Sequence, residues 1–108
     1  MMKKHIPPAT PLQQHLDRTA QALRERDLDQ ALYHLQQAMV EDIHSPQVQN
    51  LIGILAELDN DILLAEKHYR AAYALDPTFR AAGFNLDRVE GYPIHYDREK
   101  IDYGLDHP

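Results

Sequence analysis

The strongest constraint on this chain is a recurrence at 34 residues. In the stretch AEKHYRAAYALDP, residues 65–77, a helix would carry Ala65, Tyr69 and Ala72 on one face, because residues three and four apart lie above one another. One repeat length upstream, Ala31, Leu35 and Ala38 have the same spacing. A single helix seeking a core needs only an apolar stripe. A small, large, small stripe written twice at a fixed interval suits helical hairpins that pack closely against neighbours of the same kind. A bulkier side chain at Ala65 or Ala72 is expected to force the helices apart, with a leucine costing on the order of 1–3 kcal/mol.

The flanking sequence predicts where the helices begin and end. After Pro7, Pro8 and Pro11, apolar spacing runs through Leu12, Leu16, Ala20 and Leu23 and is broken by RERD at 24–27. A second stripe, Leu28, Ala31, Leu32, Leu35, Ala38 and Met39, ends near Ile43, since Ser45 precedes Pro46 and reads as the N-cap of a third helix. That helix carries Val48, Leu51, Ile52, Leu55, Ala56 and Leu58 and is closed by LDND at 58–61, where Asn60 or Asp61 can cap a fourth helix, Ile62 to Leu75. A fifth opens at Pro77 or Thr78, carries Phe79, Ala82, Leu86 and Val89, and ends at Gly91 and Pro93. No segment alternates with period two, so the expected fold is all-α with five helices in antiparallel pairs.

Residues 46–79 resemble one tetratricopeptide repeat (TPR). Gly53 stands at that family's small position, with Ile52 before it; Ala65, Tyr69 and Ala72 match its later positions, and YALDP at 73–77 its ending. Gln49 and Ala56 depart from the family's tryptophan and tyrosine. Residues 12–45 resemble a degraded copy, with Thr19 at the glycine and Ile43 at the proline. Ungapped, His15 and Arg18 fall on core positions of that copy, so its turn is expected to be one residue shorter. Residues 80–90, through Asn85 and Leu86, resemble the opening helix of a third copy. The resemblance implies a right-handed superhelical stack: a flexible arm at 1–11, a domain at 12–91 with repeats 12–45 and 46–79 and a capping helix 79–90, and a tail at 92–108.

The resemblance also implies a protein-interaction module that holds a peptide or partner segment in the concave groove of its first, third and fifth helices. By position the groove carries Gln13, Leu16 and Ala20, then Gln47, Asn50, Ile54 and Glu57, then Phe84 and Arg88, with Leu23 and Ala81 beside them. Family members that clamp a C-terminal carboxylate use Lys and Asn there; only Asn50 and Arg88 approach that pattern here. An apolar centre of Leu16, Ile54 and Phe84 with a polar border suits an amphipathic or aromatic-bearing segment. Leu16 and Phe84 also read simply as core, the commoner outcome for a lone apolar residue on a helix, and only their joint placement on one wall favours binding.

Two repeats and a cap are fewer than the three or more that such stacks usually need. The tail GYPIHYDREKIDYGLDHP offers a ladder of Tyr92, Ile94, Tyr96, Ile101, Tyr103 and Leu105, with room for a short helix from Asp97 to about Tyr103. Three dispositions are open to it: folded on its own chain, seated in a neighbour's groove to make a dimer, or loose in solution. A self-associating subunit or small chaperone is therefore the alternative function.

Composition narrows the rest. The 108 residues, 44% hydrophobic and 26% charged, suit one domain able to bury roughly two thirds of its unfolded surface. A net charge of −6 with scattered basic residues argues against a nucleic-acid partner. No run of about 18 apolar residues spans a bilayer and the first residues lack a signal peptide's apolar segment, so no membrane role and a cytoplasmic location are expected. Cysteine is absent, which fits a reducing compartment. The seven histidines form no HxxxH or HExxH pair, with His34 and His68 a full repeat apart. Asp59 and Asp61 lack the glycine and distant glutamate of a calcium loop and read as helix caps. Glu57, Glu66 and Glu90 have no spacing that selects an acid–base pair. The expectation is a non-enzymatic protein without metal or cofactor.

Overall fold

A computed structural model describes residues 8–91 and 98–105. Tyr92, Ile94 and Tyr96 of the tail and residues 1–7 of the arm lie outside the described residues. The chain forms α1 (Pro11–Arg24), α2 (Leu28–Asp42), α3 (Pro46–Leu58), α4 (Ile62–Leu75) and α5 (Arg80–Glu90), with no strand among the described residues. No helix among them is long and apolar enough to cross a membrane.

Local chemistry sets the boundaries. The side chains of Thr10, Asp27, Ser45 and Asp61 each accept from the backbone N–H three residues on, satisfying donors that α1, α2, α3 and α4 leave unpaired. Thr10 therefore caps α1, and Pro11 is its first residue. Of the two candidate caps before α4, Asp61 acts, while Asn60 takes a left-handed conformation with φ 62°. The fifth helix starts later than expected: the Asp76 carboxylate accepts from both the N–H and the hydroxyl of Thr78, and Phe79 is the N-cap without a side-chain bond. Those bonds hold the Asp76 carboxyl below its ordinary pKa.

The 34-residue interval is carried into three dimensions without a gap, which corrects the expected shorter turn. Arg26 has φ 59° where Asn60 has 62°. The N–H of Asp27 donates to the Ala22 carbonyl at 2.9 Å, and that of Asp61 to Ala56 at the same distance, so both hairpins close through one helix-ending motif. Ala31, Leu35 and Ala38 are buried, as are Ala65, Tyr69 and Ala72. His15, the reason for expecting a shift, is only half-buried; its Nδ1 lies 3.2 Å from Nδ1 of His34. In the second hairpin Gln49 Oε1 and His68 Nδ1 make the equivalent pair at 2.8 Å. Arg18 is exposed.

The most extensive packing is α1 on α2 and α3 on α4, with α5 on α4; α1 also meets α3, and α3 meets α5. Connections of three or four residues make consecutive helices antiparallel. The buried stripe of α2 is narrower than its apolar spacing implied, since Leu28, Leu32 and Met39 are exposed. Gly53 shows why the small positions are small: a Cβ there would lie 2.6 Å from Cδ1 and Cε1 of Tyr69. Thr19 takes the equivalent place in the first hairpin, 34 residues before Gly53, and donates its hydroxyl to the His15 carbonyl at 2.6 Å.

Candidate functional site

The face shared by α1, α3 and α5 is covered by the chain's own residues 98–105. After a single 3₁₀ turn, Arg98–Lys100, shorter than the expected helix to Tyr103, the backbone runs on without regular structure. Two carboxamides grip it. Asn50 donates to the Asp102 carbonyl at 3.0 Å, and Asn85 donates to the same oxygen at 2.8 Å while its own carbonyl accepts the Asp102 N–H at 3.0 Å. Asn85 also donates to Asn50 Oδ1 at 2.9 Å, which fixes both amide orientations. Both asparagines are fully buried, where an unmatched carboxamide would be costly, so the segment supplies partners the helices alone leave wanting.

Side chains on either side of Asp102 set the register. Ile101 is buried in the core cluster that holds Leu16, Leu23 and Ile54, and Tyr103 and Leu105 pack against the same cluster. The Arg24 guanidinium lies 4.8 Å over the Tyr103 ring, a cation–π contact. Arg98 donates to the Glu57 carbonyl at 3.3 Å and to the Asn60 side chain. Gly104 has φ 74°, and a Cβ on it would stand 2.4 Å from Cζ of Phe79. Its N–H is held by the Asp102 carboxylate at 2.9 Å, a local turn that turns the glycine against that ring. Beyond Gly104 and Leu105 a cleft of about 480 Å³ is lined by Gln13, Asp17, Gln21 and Arg24 of α1 and by Gln47.

Beneath this segment lies a buried ionic network. Arg88 makes two parallel bonds of 2.6 Å to the Glu57 carboxylate, and the Tyr69 hydroxyl donates to the same carboxylate at 2.7 Å. Burial by itself would lower the Arg88 pKa, but the bonds to Glu57 and its negative charge outweigh it and the net shift is upward. Burial first, then the Glu57 charge, drives the Tyr69 phenol far above its ordinary range. Tyr69 is thus a neutral donor and Arg88 a fixed cation. The Glu57 carboxylate of α3 thus ties in α4 through Tyr69 and α5 through Arg88, and has both oxygens engaged.

The residues expected to line a groove are distributed unequally. Asn50 makes the contact just described. Leu16, Ala20 and Ile54 are fully buried, under or beside the seated segment, and Glu57 and Arg88 are turned to one another. Gln13 and Gln47 share the cleft, where Gln13 bonds Asp17 and Gln47 accepts from Ser45. Phe84 is 47% exposed and borders Ile101 and Asp102 rather than joining Leu16 and Ile54 in one apolar centre. Sequence reasoning missed Asn85, Arg24, Arg98, Phe79 and Gly104 as site residues. The one signal for them was the Asp102-x-Gly104 turn spacing, since the asparagine pairing spans 35 positions. Among the described residues no group of three or more His, Cys, Asp or Glu side chains is placed to hold a metal ion. Compared with protein-family models, with characterised proteins and with solved structures, the chain gives no significant match.

Proposed function

We propose that this chain is a protein-interaction module of TPR-like architecture, with α1–α2 and α3–α4 as its repeats and α5 as a cap, and that the face of α1, α3 and α5 binds an extended peptide of a partner protein. The observation that carries this reading is the paired grip of Asn50 and Asn85 on the main chain of Asp102. Side-chain amides that bond both the N–H and the C=O of one residue read an extended backbone whatever side chain it bears, the task of a peptide receptor. The amides also bond one another, and Arg88 donates to Asn85 Oδ1 at 3.4 Å, contacts that do not involve the seated segment and that limit the ordering cost of binding. The Glu57–Arg88 pair ties α3 to α5 beneath them.

Selection of random displayed peptides on the full chain tests the proposal, with Asn85→Leu as the comparison. Enrichment of extended peptides on the wild type and their loss on Asn85→Leu is the expected result. Failure to select any peptide, or selection unaffected by the substitution in a folded variant, would remove it. The alternative of a self-associating subunit is favoured by the same seated segment, if exchanged between copies; a constant monomer mass across a dilution series excludes it.

A further inference from the structure

The segment 98–105 is held the way a ligand is held. Its backbone is bonded by side chains of α3 and α5, and apart from Ile101 its side chains are half-buried or exposed. Three positions restrict what can sit there. The residue at Ile101 enters a core cluster, which demands an aliphatic side chain of similar size. The residue at Tyr103 meets the Arg24 guanidinium on its ring face and the Arg26 side chain at its hydroxyl, 3.4 Å away, which favours an aromatic phenol. The residue at Gly104 combines φ 74° with a wall formed by Phe79 and Ala81, so any side chain meets both backbone strain and a clash. Arg98, three residues before Ile101, adds a cation that reaches the Glu57 carbonyl and Asn60.

Resting on the peptide-binding reading above, we infer that the groove recognises, in a partner protein, a segment of the pattern Arg-x-x-Ile-x-Tyr-Gly, and that residues 98–105 are a resident copy of that ligand. A tethered segment competes at an effective concentration near millimolar, so modest contacts suffice to seat it. The glycine is the position that decides between ligands.

The experiment measures fluorescence anisotropy of a fluorescein-labelled synthetic peptide REKIDYGL, and of the same peptide with its Gly changed to Val or its Ile to Ser. Each is titrated with the full wild-type chain and with the full Gly104→Val chain. That substitution unseats the resident segment and leaves every helix residue of the groove in place. REKIDYGL is expected to bind the Gly104→Val chain at least tenfold more tightly than the wild type. Each altered peptide is expected to bind at least tenfold more weakly than REKIDYGL. Equal affinity for the Gly and Val peptides, or equal affinity of the two chains, overturns the inference. Should circular dichroism show Gly104→Val unfolded, the ranking of the three peptides on the wild-type chain at up to millimolar concentration decides it alone. If displayed peptides are selected but REKIDYGL binds neither chain, the pattern falls and the peptide-binding reading stands; if no peptide of any kind binds, both fall.

Discussion

Gly53→Ala sets two effects of comparable size against each other, and the structure says which prevails. In a helix interior, alanine is favoured over glycine by about 1 kcal/mol, so an exposed Gly53 would gain stability from the change. Gly53 is buried, and its new Cβ would sit 2.6 Å from two ring carbons of Tyr69, where carbon–carbon contact is comfortable only from about 3.5 Å. Helix or ring must therefore retreat by roughly 1 Å. The ring has no free direction: Tyr69 is fully buried and its hydroxyl is tied to the Glu57 carboxylate at 2.7 Å. Overpacking costs about 1–3 kcal/mol, and a ring with no free direction places this site at about 2–3 kcal/mol, so after the helix gain a net loss of about 1–2 kcal/mol remains. For a domain of this size that lowers Tm by roughly 5–15 °C.

Urea denaturation of wild type, Gly53→Ala, Tyr69→Leu and the double variant measures the effect as a cycle. With the ring removed, the same Gly53→Ala change is expected to reverse sign and stabilise by up to about 1 kcal/mol, since only the helix preference is left. The first hairpin already contains such a solution, Thr19 with Leu35 at the equivalent positions, both buried. A Gly53→Ala chain as stable as wild type, or identical effects with and without the Tyr69 ring, would refute the packing argument.

Arg88→Met should destabilise by about 3–5 kcal/mol, because it leaves the Glu57 carboxylate buried without its cation, whereas the double change Arg88→Met with Glu57→Leu should cost far less; equilibrium unfolding of the set checks both. Asp27→Ala and Asp61→Ala should each cost about 1 kcal/mol and match one another, as they remove equivalent caps; unequal thermal shifts would count against the repeat. His34, through burial and then the neighbouring charges of His15 and Arg18, and His68, through burial, have pKa values below the unfolded value of about 6.5. The unfolded chain thus binds more protons in that window, so stability present above about pH 6.5 is lost as pH falls through the folded values. His15→Gln copies the Gln49–His68 pair into the first hairpin and should make the fall in Tm between pH 7 and 5 shallower; an unchanged slope contradicts the role of the histidine pair.

What the sequence made legible was local in origin. Ser45 before Pro46 and Asp61 before Ile62 act within one helical turn, so the positions of α3 and α4 follow from a few adjacent residues. Where the reading went astray, a distant residue had altered the balance. His15 looked too polar for its place until His34, nineteen positions on, was found beside it, and the inferred shift of register then became unnecessary. Glu57 and Arg88 looked like free groove polarity because their pairing spans 31 positions, and nothing in either neighbourhood announces it. Asn50 was singled out but Asn85 was not, although each is the other's partner.

By itself, then, the sequence determined that the chain is helical, where α3 and α4 start, and that two hairpins share one 34-residue design, because caps, turns and small-residue spacing act over a few residues. Only the tertiary structure decided what the face of α1, α3 and α5 does. Burial leaves Asn50, Glu57, Arg88 and Asn85 in need of partners, and those come from residues 12 to 52 positions away, including the chain's own backbone at Asp102.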